Sequence, residues 1–263
     1  MTTTRGTQGP ISDAAMAGAL RTFVRATRPV LDGLRESDPF GLRQRVVADL
    51  PAGTARGLAQ RLLDFLAAVE VPGTAAWAQM DRAQRVHWWV RRVGRFTTAV
   101  AAVPGLGGAL AAKLPVAKAV GTAGQGLLLV AVAGEYGVRE ERHLVAMLGA
   151  VMFGRDLDTS HELTAAEESA AEAGAAEITA PLRGQRPSLK RLAGAMWSLG
   201  RALFAVEDEL DKRPHGRFYH GMLAMVPVVG AFGKYLGEWS GLKRAAHRAE
   251  EWLAAHPQAA GTR

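Results

Sequence analysis

The 263-residue chain contains no cysteine, so a disulfide framework and a thiolate metal site are both excluded. Aromatic residues make up 6% of it and only three are tyrosine, too few to build the interleaved basic–aromatic surface of a nucleic-acid-binding module. The interior has no stretch of 18 residues free of Lys, Arg, Asp and Glu, whereas an ordinary spanning helix takes about 20 mostly apolar residues. No segment shows sustained alternation of β-branched or aromatic residues with polar ones, so no strand is expected. The first dozen residues carry no apolar stretch of the kind that makes a signal peptide.

What is present is apolar enough to fold. Hydrophobic residues reach 48% against 22% charged, which excludes disorder for the chain as a whole. The net charge is +7, from 32 basic and 25 acidic residues. A basic balance suits an anionic surface, but its distribution says more than its total. Arg82, Arg85, Arg91, Arg92 and Arg95 follow a lone Asp81, whereas Asp156, Asp158, Glu162, Glu167, Glu168, Glu172 and Glu177 are opposed only by Arg155. Arg183, Arg186, Lys190 and Arg191 restore the positive sign. No block reaches five consecutive like charges, so a nucleic-acid tail is not indicated.

The patterning predicts an all-α fold. Met16, Leu20, Phe23, Val24, Leu31 and Leu34 recur at helical spacing until Ser37-Asp38-Pro39 stops them. Leu58, Leu62, Leu66 and Val69 form a second stripe, and Trp77, Met80, Ala83, His87, Val90 and Val93 a third. The clearest signal spans about 188–212, where Leu189, Leu192, Met196, Leu199, Leu203, Val206 and Leu210 keep alternating three- and four-residue spacing behind a Ser188 N-cap. One long amphipathic helix is expected there. Residues 1–12 and 256–263 read as tails, and 13–255 as a single helical domain. Within it the acidic segment at about 155–182 reads as a linker or insertion that buries little.

Residues 96–134 depart from the rest. Lys113 and Lys118 are the only charges there, dividing the span into charge-free windows from Phe96 to Ala112 and from Ala119 to Gly134. Each is too short to cross a hydrocarbon core of about 30 Å, and helix-weakening residues interrupt both. Pro104, Gly105, Gly107 and Gly108 sit inside the first, and Gly121, Gly124 and Gly126 open the second. A Gly/Ala-rich apolar helical hairpin, buried in protein or half-inserted in lipid, fits these lengths. A third charge-free window lies between Arg217 and Lys234, and Val226-Pro227-Val228-Val229-Gly230 echoes Val103-Pro104-Gly105-Leu106-Gly107. Pro104, Gly105, Gly107, Gly108, Pro227 and Gly230 are the expected turn positions. Gly233, Gly237 and Gly241, four residues apart, suit close helix packing in either solvent.

Ahead of the first window stands Trp88-Trp89-Val90-Arg91-Arg92-Val93-Gly94-Arg95. Tryptophan suits a water–lipid boundary, and arginines beside it suit anionic head groups. Trp88, Trp89, Arg91, Arg92 and Arg95 are therefore the candidate membrane-interface residues.

At these residues the chain resembles the EcsC family of bacterial proteins. The resemblance rests on Val103-Pro104-Gly105-Leu106-Gly107-Gly108, on Lys113-Leu114-Pro115, and on Glu135-Tyr136-Gly137 followed by Glu140-Glu141-Arg142. The segment from Met225 to Leu242 looks like the closing Pro-x-x-Gly helix pair of that family. Together the matching parts cover roughly residues 80–155 and 215–255. The resemblance implies a helical protein on the cytoplasmic side of the cell membrane, peripheral or partly inserted, with no established reaction. Its partners would be lipid and a membrane protein such as a transporter. It carries over no catalytic residue.

Motifs for chemistry are mostly missing. Gly233-Lys234 is followed by Tyr235, so no Walker motif is formed; Gly121-Thr122-Ala123-Gly124-Gln125-Gly126 follows no strand and reads as a packing feature. No cofactor or metal is expected. A non-enzymatic membrane-associated accessory protein is the leading expectation. One alternative is a soluble helical carrier of an apolar ligand. Another is a helical enzyme using Glu207, Asp208, Glu209, Asp211, His215 and His220.

Overall fold

The computed structural model describes residues 12–35, 72, 75–101, 116–183, 189–211 and 231–259. Helix accounts for 85% of them and none is in a strand. In chain order the α-helices are α1 (Asp13–Arg35), α2 (Ala75–Gln79), α3 (Arg82–Ala101), α4 (Val116–Glu135), α5 (Glu141–Phe153), α6 (Ala165–Thr179), α7 (Leu189–Asp211) and α8 (Ala231–Ala255).

The centre of the bundle is α4. Leu127, Leu128, Leu129, Val130, Ala131, Val132 and Ala133 are buried in unbroken succession, so no side of this helix faces water over two turns. A helix apolar all round must be enclosed. Here α1, α3, α5, α7 and α8 all pack against it. Small residues let them approach. A Cβ on Gly124 would stand 2.5 Å from Thr97 Oγ1 of α3, and one on Gly126 2.5 Å from the Phe23 ring of α1. On α7, a Cβ at Gly200 would overlap the Ala119 carbonyl of α4. Gly124 and Gly126 are thus packing positions, as their sequence context suggested, whereas Gly121 meets open space.

Local chemistry sets the ends of the helices. Asp81 and Gln84 cap α3 reciprocally, each side chain accepting the other's backbone N–H at 2.8 Å. Thr164 and Glu167 do the same for α6. Gly137 ends α4 with φ 81°, and Gly154 ends α5 with φ 61°. Around Gly154 the paired bonds Gly154 N–H to Ala150 and Arg155 N–H to Gly149 satisfy two orphan carbonyls.

The expected stripe of α1 is buried throughout, and the long helix expected at about 188–212 is α7, with Leu192, Met196, Leu199 and Leu203 inside. Two expectations need correction, part of the third stripe and the C-terminal tail. Trp77, Val90 and Val93 of the third stripe are buried, but Ala83 and His87 are exposed; α3 also buries Val86, Trp89, Phe96 and Val100. The acidic segment holds a mostly exposed helix, α6, which lies along α1 through Ala171, Ala175 and Thr179, spaced four apart. Beyond α8 the chain stays packed, with His256 stacked on Trp252 at 4.1 Å and Ala259 buried. The stripe at 56–69 lies outside the described residues.

Candidate functional site

Polar and aromatic side chains gather where the C-terminal ends of α1 and α4 meet the first half of α3. Trp77, Trp88 and Trp89 form an edge-to-face ladder, with successive ring centroids 5.0 Å apart. Trp89 is fully buried, at 0% exposure, and its indole N–H donates to Glu135 Oε1 at 2.9 Å. Glu135 is the last residue of α4, where a carboxylate opposes the helix dipole. The Trp89 N–H and the Arg85 guanidinium, 3.9 Å away, offset that penalty.

Arg92 is 1% exposed and turned into the protein, its Nε donating to the Leu34 carbonyl at 3.0 Å. Leu34 lies in the last turn of α1, where carbonyls lack intrahelical partners, so Arg92 caps that helix from the side. The same guanidinium lies 5.2 Å from the Trp88 ring centroid. Arg35 lies over Trp89, Arg85 over Trp77 and Arg82 over Tyr136. Tyr136 donates its hydroxyl to Glu250 of α8 at 3.2 Å; burial and then the Glu250 charge push its phenol pKa up.

The five candidate interface residues therefore separate. Trp88, Trp89 and Arg92 belong to the core and its polar lining, Arg95 is half-buried, and Arg91 alone is exposed. Their apolar neighbours Val90 and Val93 enter the core on either side, and the rings follow them in. In this arrangement Trp88 and Trp89 are both buried. Of the packing glycines, Gly241 stands beside Gln125 of α4, where a Cβ would be in ordinary contact at 3.6 Å. Gly233 and Gly237 are in α8, but their surroundings lie outside the described residues. Pro104, Gly105, Gly107, Gly108, Pro227 and Gly230 lie outside them as well, as do His215, His220 and the side chains of Glu207, Asp208, Glu209 and Asp211.

Two further groupings were not read from the sequence. Arg25 of α1 grips Glu141 of α5 through Nε at 2.7 Å and Nη2 at 3.0 Å, and Glu168 of α6 through Nη2 at 2.9 Å. Hydrogen bonds to Glu141 and then Glu168 hold the Arg25 guanidinium protonated even beyond its ordinary range. The bond from Arg25 lowers the Glu168 pKa in turn. Where α3 and α8 pack together, His87 and Arg91 of α3 and Lys243 of α8 are all exposed. Partial burial, and then the positive fields of Arg91 and Lys243, depress the His87 pKa. No residue pattern along α1 or α8 alone announces either grouping, because each is made across helices.

The arrangement offers positional chemistry. The carboxylates of the Trp–Arg cluster are engaged with Trp89, Arg85 and Tyr136, and no group of metal-ligating side chains occurs among the described residues. No described helix is long and apolar enough to cross a membrane. Comparison with protein-family models, curated proteins and solved structures finds no match for this chain.

Proposed function

We propose that this chain is a non-enzymatic accessory protein on the cytoplasmic face of a membrane, with lipid as its first partner and a membrane protein as its second. One observation carries the reading. The charge-free run from Ala119 to Ala133 lies in the central helix, and α1, α3, α7 and α8 around it are amphipathic covers with charged residues on their outer faces. In water those covers keep the apolar helix enclosed. On a bilayer the same faces can turn toward lipid, because the apolar side of an amphipathic helix is as well buried in acyl chains as in protein.

The buried tryptophans alter how such a protein would engage. Trp88, Trp89 and Arg92 would reach lipid only after α3 leaves α1 and α4, so first contact must be made by exposed groups. Peripheral attachment through charge comes first and any insertion follows.

High-speed fractionation of lysed cells, paired with flotation on vesicles containing anionic lipid, tests this. A membrane-bound fraction and co-flotation are expected. A protein wholly in the supernatant that ignores vesicles would remove the reading.

A further inference from the structure

We propose that the exposed seam between α3 and α8, built on His87, Arg91 and Lys243, is the face that meets the anionic lipid head groups. This rests on the membrane reading above and names its contact surface. The argument begins with α3, which carries five arginines and no carboxylate. Three of them are committed within the molecule: Arg92 to the Leu34 carbonyl, Arg85 to Glu135 and Trp77, and Arg82 to the Tyr136 ring. Arg91 points to solvent.

Across the contact between α3 and α8, Lys243 is exposed, followed along the same helix by exposed Arg244, His247 and Arg248. The nearby carboxylates of α8 are partly occupied. Glu250 receives the Tyr136 hydroxyl, and Glu251 lies 3.6 Å from His247. Both charges that act on His87 are positive, so the fields of the two helices converge on this seam. An anionic surface would relieve that repulsion.

The far side of the bundle has the opposite sign. Helix α6 holds Glu167, Glu168, Glu172 and Glu177 with no basic residue, and it joins the bundle through α1 and α7. Helix α8 joins through α3, α4 and α5. A molecule polarised in this way is steered with its basic seam toward a negative surface and α6 away from it. Nucleic acid is a poorer fit, because Trp88 and Trp89 are buried and offer no stacking platform on this face.

The double variant Arg91→Gln/Lys243→Gln tests the seam against Arg28→Gln/Lys190→Gln, which removes the same charge from exposed positions on α1 and α7. Binding is read by flotation on vesicles of phosphatidylcholine with roughly one-third phosphatidylglycerol, over a range of salt, with circular dichroism confirming that each variant is folded. At about 1 kcal/mol per basic residue near the surface, the seam variant should bind roughly thirtyfold more weakly, with a shallower salt dependence. The control should stay within about twofold of wild type. Equal binding by wild type and the seam variant would overturn the seam while leaving membrane attachment intact. Equal losses in both variants would mean that net charge, not this face, governs binding, and would also overturn it. Wild-type chain that ignores vesicles overturns seam and membrane reading together, and a gel shift with a labelled duplex would then assign the basic face to nucleic acid.

Discussion

Trp89 donates its indole N–H to Glu135, joining the middle of α3 to the last turn of the central helix at 2.9 Å. The bond explains why an amphipathic ring flanked by arginines lies inside the protein. Its polar edge finds a carboxylate there, and that carboxylate would otherwise have only Arg85 to offset the helix dipole.

Trp89 should accordingly rank among the most costly positions to truncate. Trp89→Ala is expected to lose about 3–5 kcal/mol in urea denaturation. Trp89→Phe keeps most of the apolar volume and should lose about 1–3 kcal/mol, chiefly the hydrogen bond to a charged group. A Phe variant as stable as wild type would show that Glu135 is satisfied without the indole.

Two glycines on one helix should respond in opposite ways. At Gly200 an added methyl would collide with the Ala119 backbone, and backbone cannot swing aside. Gly200→Ala should therefore cost about 1–3 kcal/mol by forcing α7 away from α4. Gly194 has nothing within 4 Å of the same position, so Gly194→Ala should stabilise by about 0.5–1 kcal/mol through helix propensity. Thermal melts of the two variants read the contrast directly.

The Arg25 grip predicts an acid-sensitive contact between α1, α5 and α6. Hydrogen bonding to Arg25 holds the Glu168 carboxyl below its ordinary 4.5. Its contribution is thus complete above about pH 4.5 and is lost as pH falls through the lower value of the folded state. Glu168→Gln should flatten that part of the stability–pH profile. The Arg25 and Glu141 side chains are 18% and 19% exposed, so a double-mutant cycle on this pair should give a coupling of about 1–2 kcal/mol.

Thr97 is 6% exposed, and its hydroxyl has no hydrogen-bond partner among the described residues. A buried hydroxyl without a partner costs about 1–3 kcal/mol, so Thr97→Val should be neutral to stabilising. A loss of more than about 1 kcal/mol on chemical denaturation would mean that the hydroxyl is satisfied, or that the bulkier methyl strains the Gly124 contact.

The degree to which each helix was legible follows from how it packs. In α1 and α7 one face is apolar and the other charged, so spacing alone marked Leu20, Phe23, Leu192 and Leu199 as core. In α3 the consecutive Trp88, Trp89 and Val90 suit either of two faces; the stripe rightly held Val90 and Val93 but ran through His87, where the buried face runs through Trp89. In α6 the buried positions are Ala171, Ala175 and Thr179, which carry almost no hydrophobic contrast with their neighbours. Its docking depends on close approach and on Arg25, neither of which periodicity reports.

By itself the sequence determined that the chain is helical, that α7 is one long amphipathic helix, and that 119–134 is an apolar, charge-free run. Apolar periodicity and the absence of charge are properties of the chain alone. What encloses that run was decided only in three dimensions, because protein and lipid exclude water equally well and a charge-free sequence does not distinguish them. The tertiary structure surrounds α4 with α1, α3, α5, α7 and α8, and turns Trp89 and Arg92 inward. It leaves Arg91 and Lys243 on the outer seam, since their charges are stabilised best where water remains.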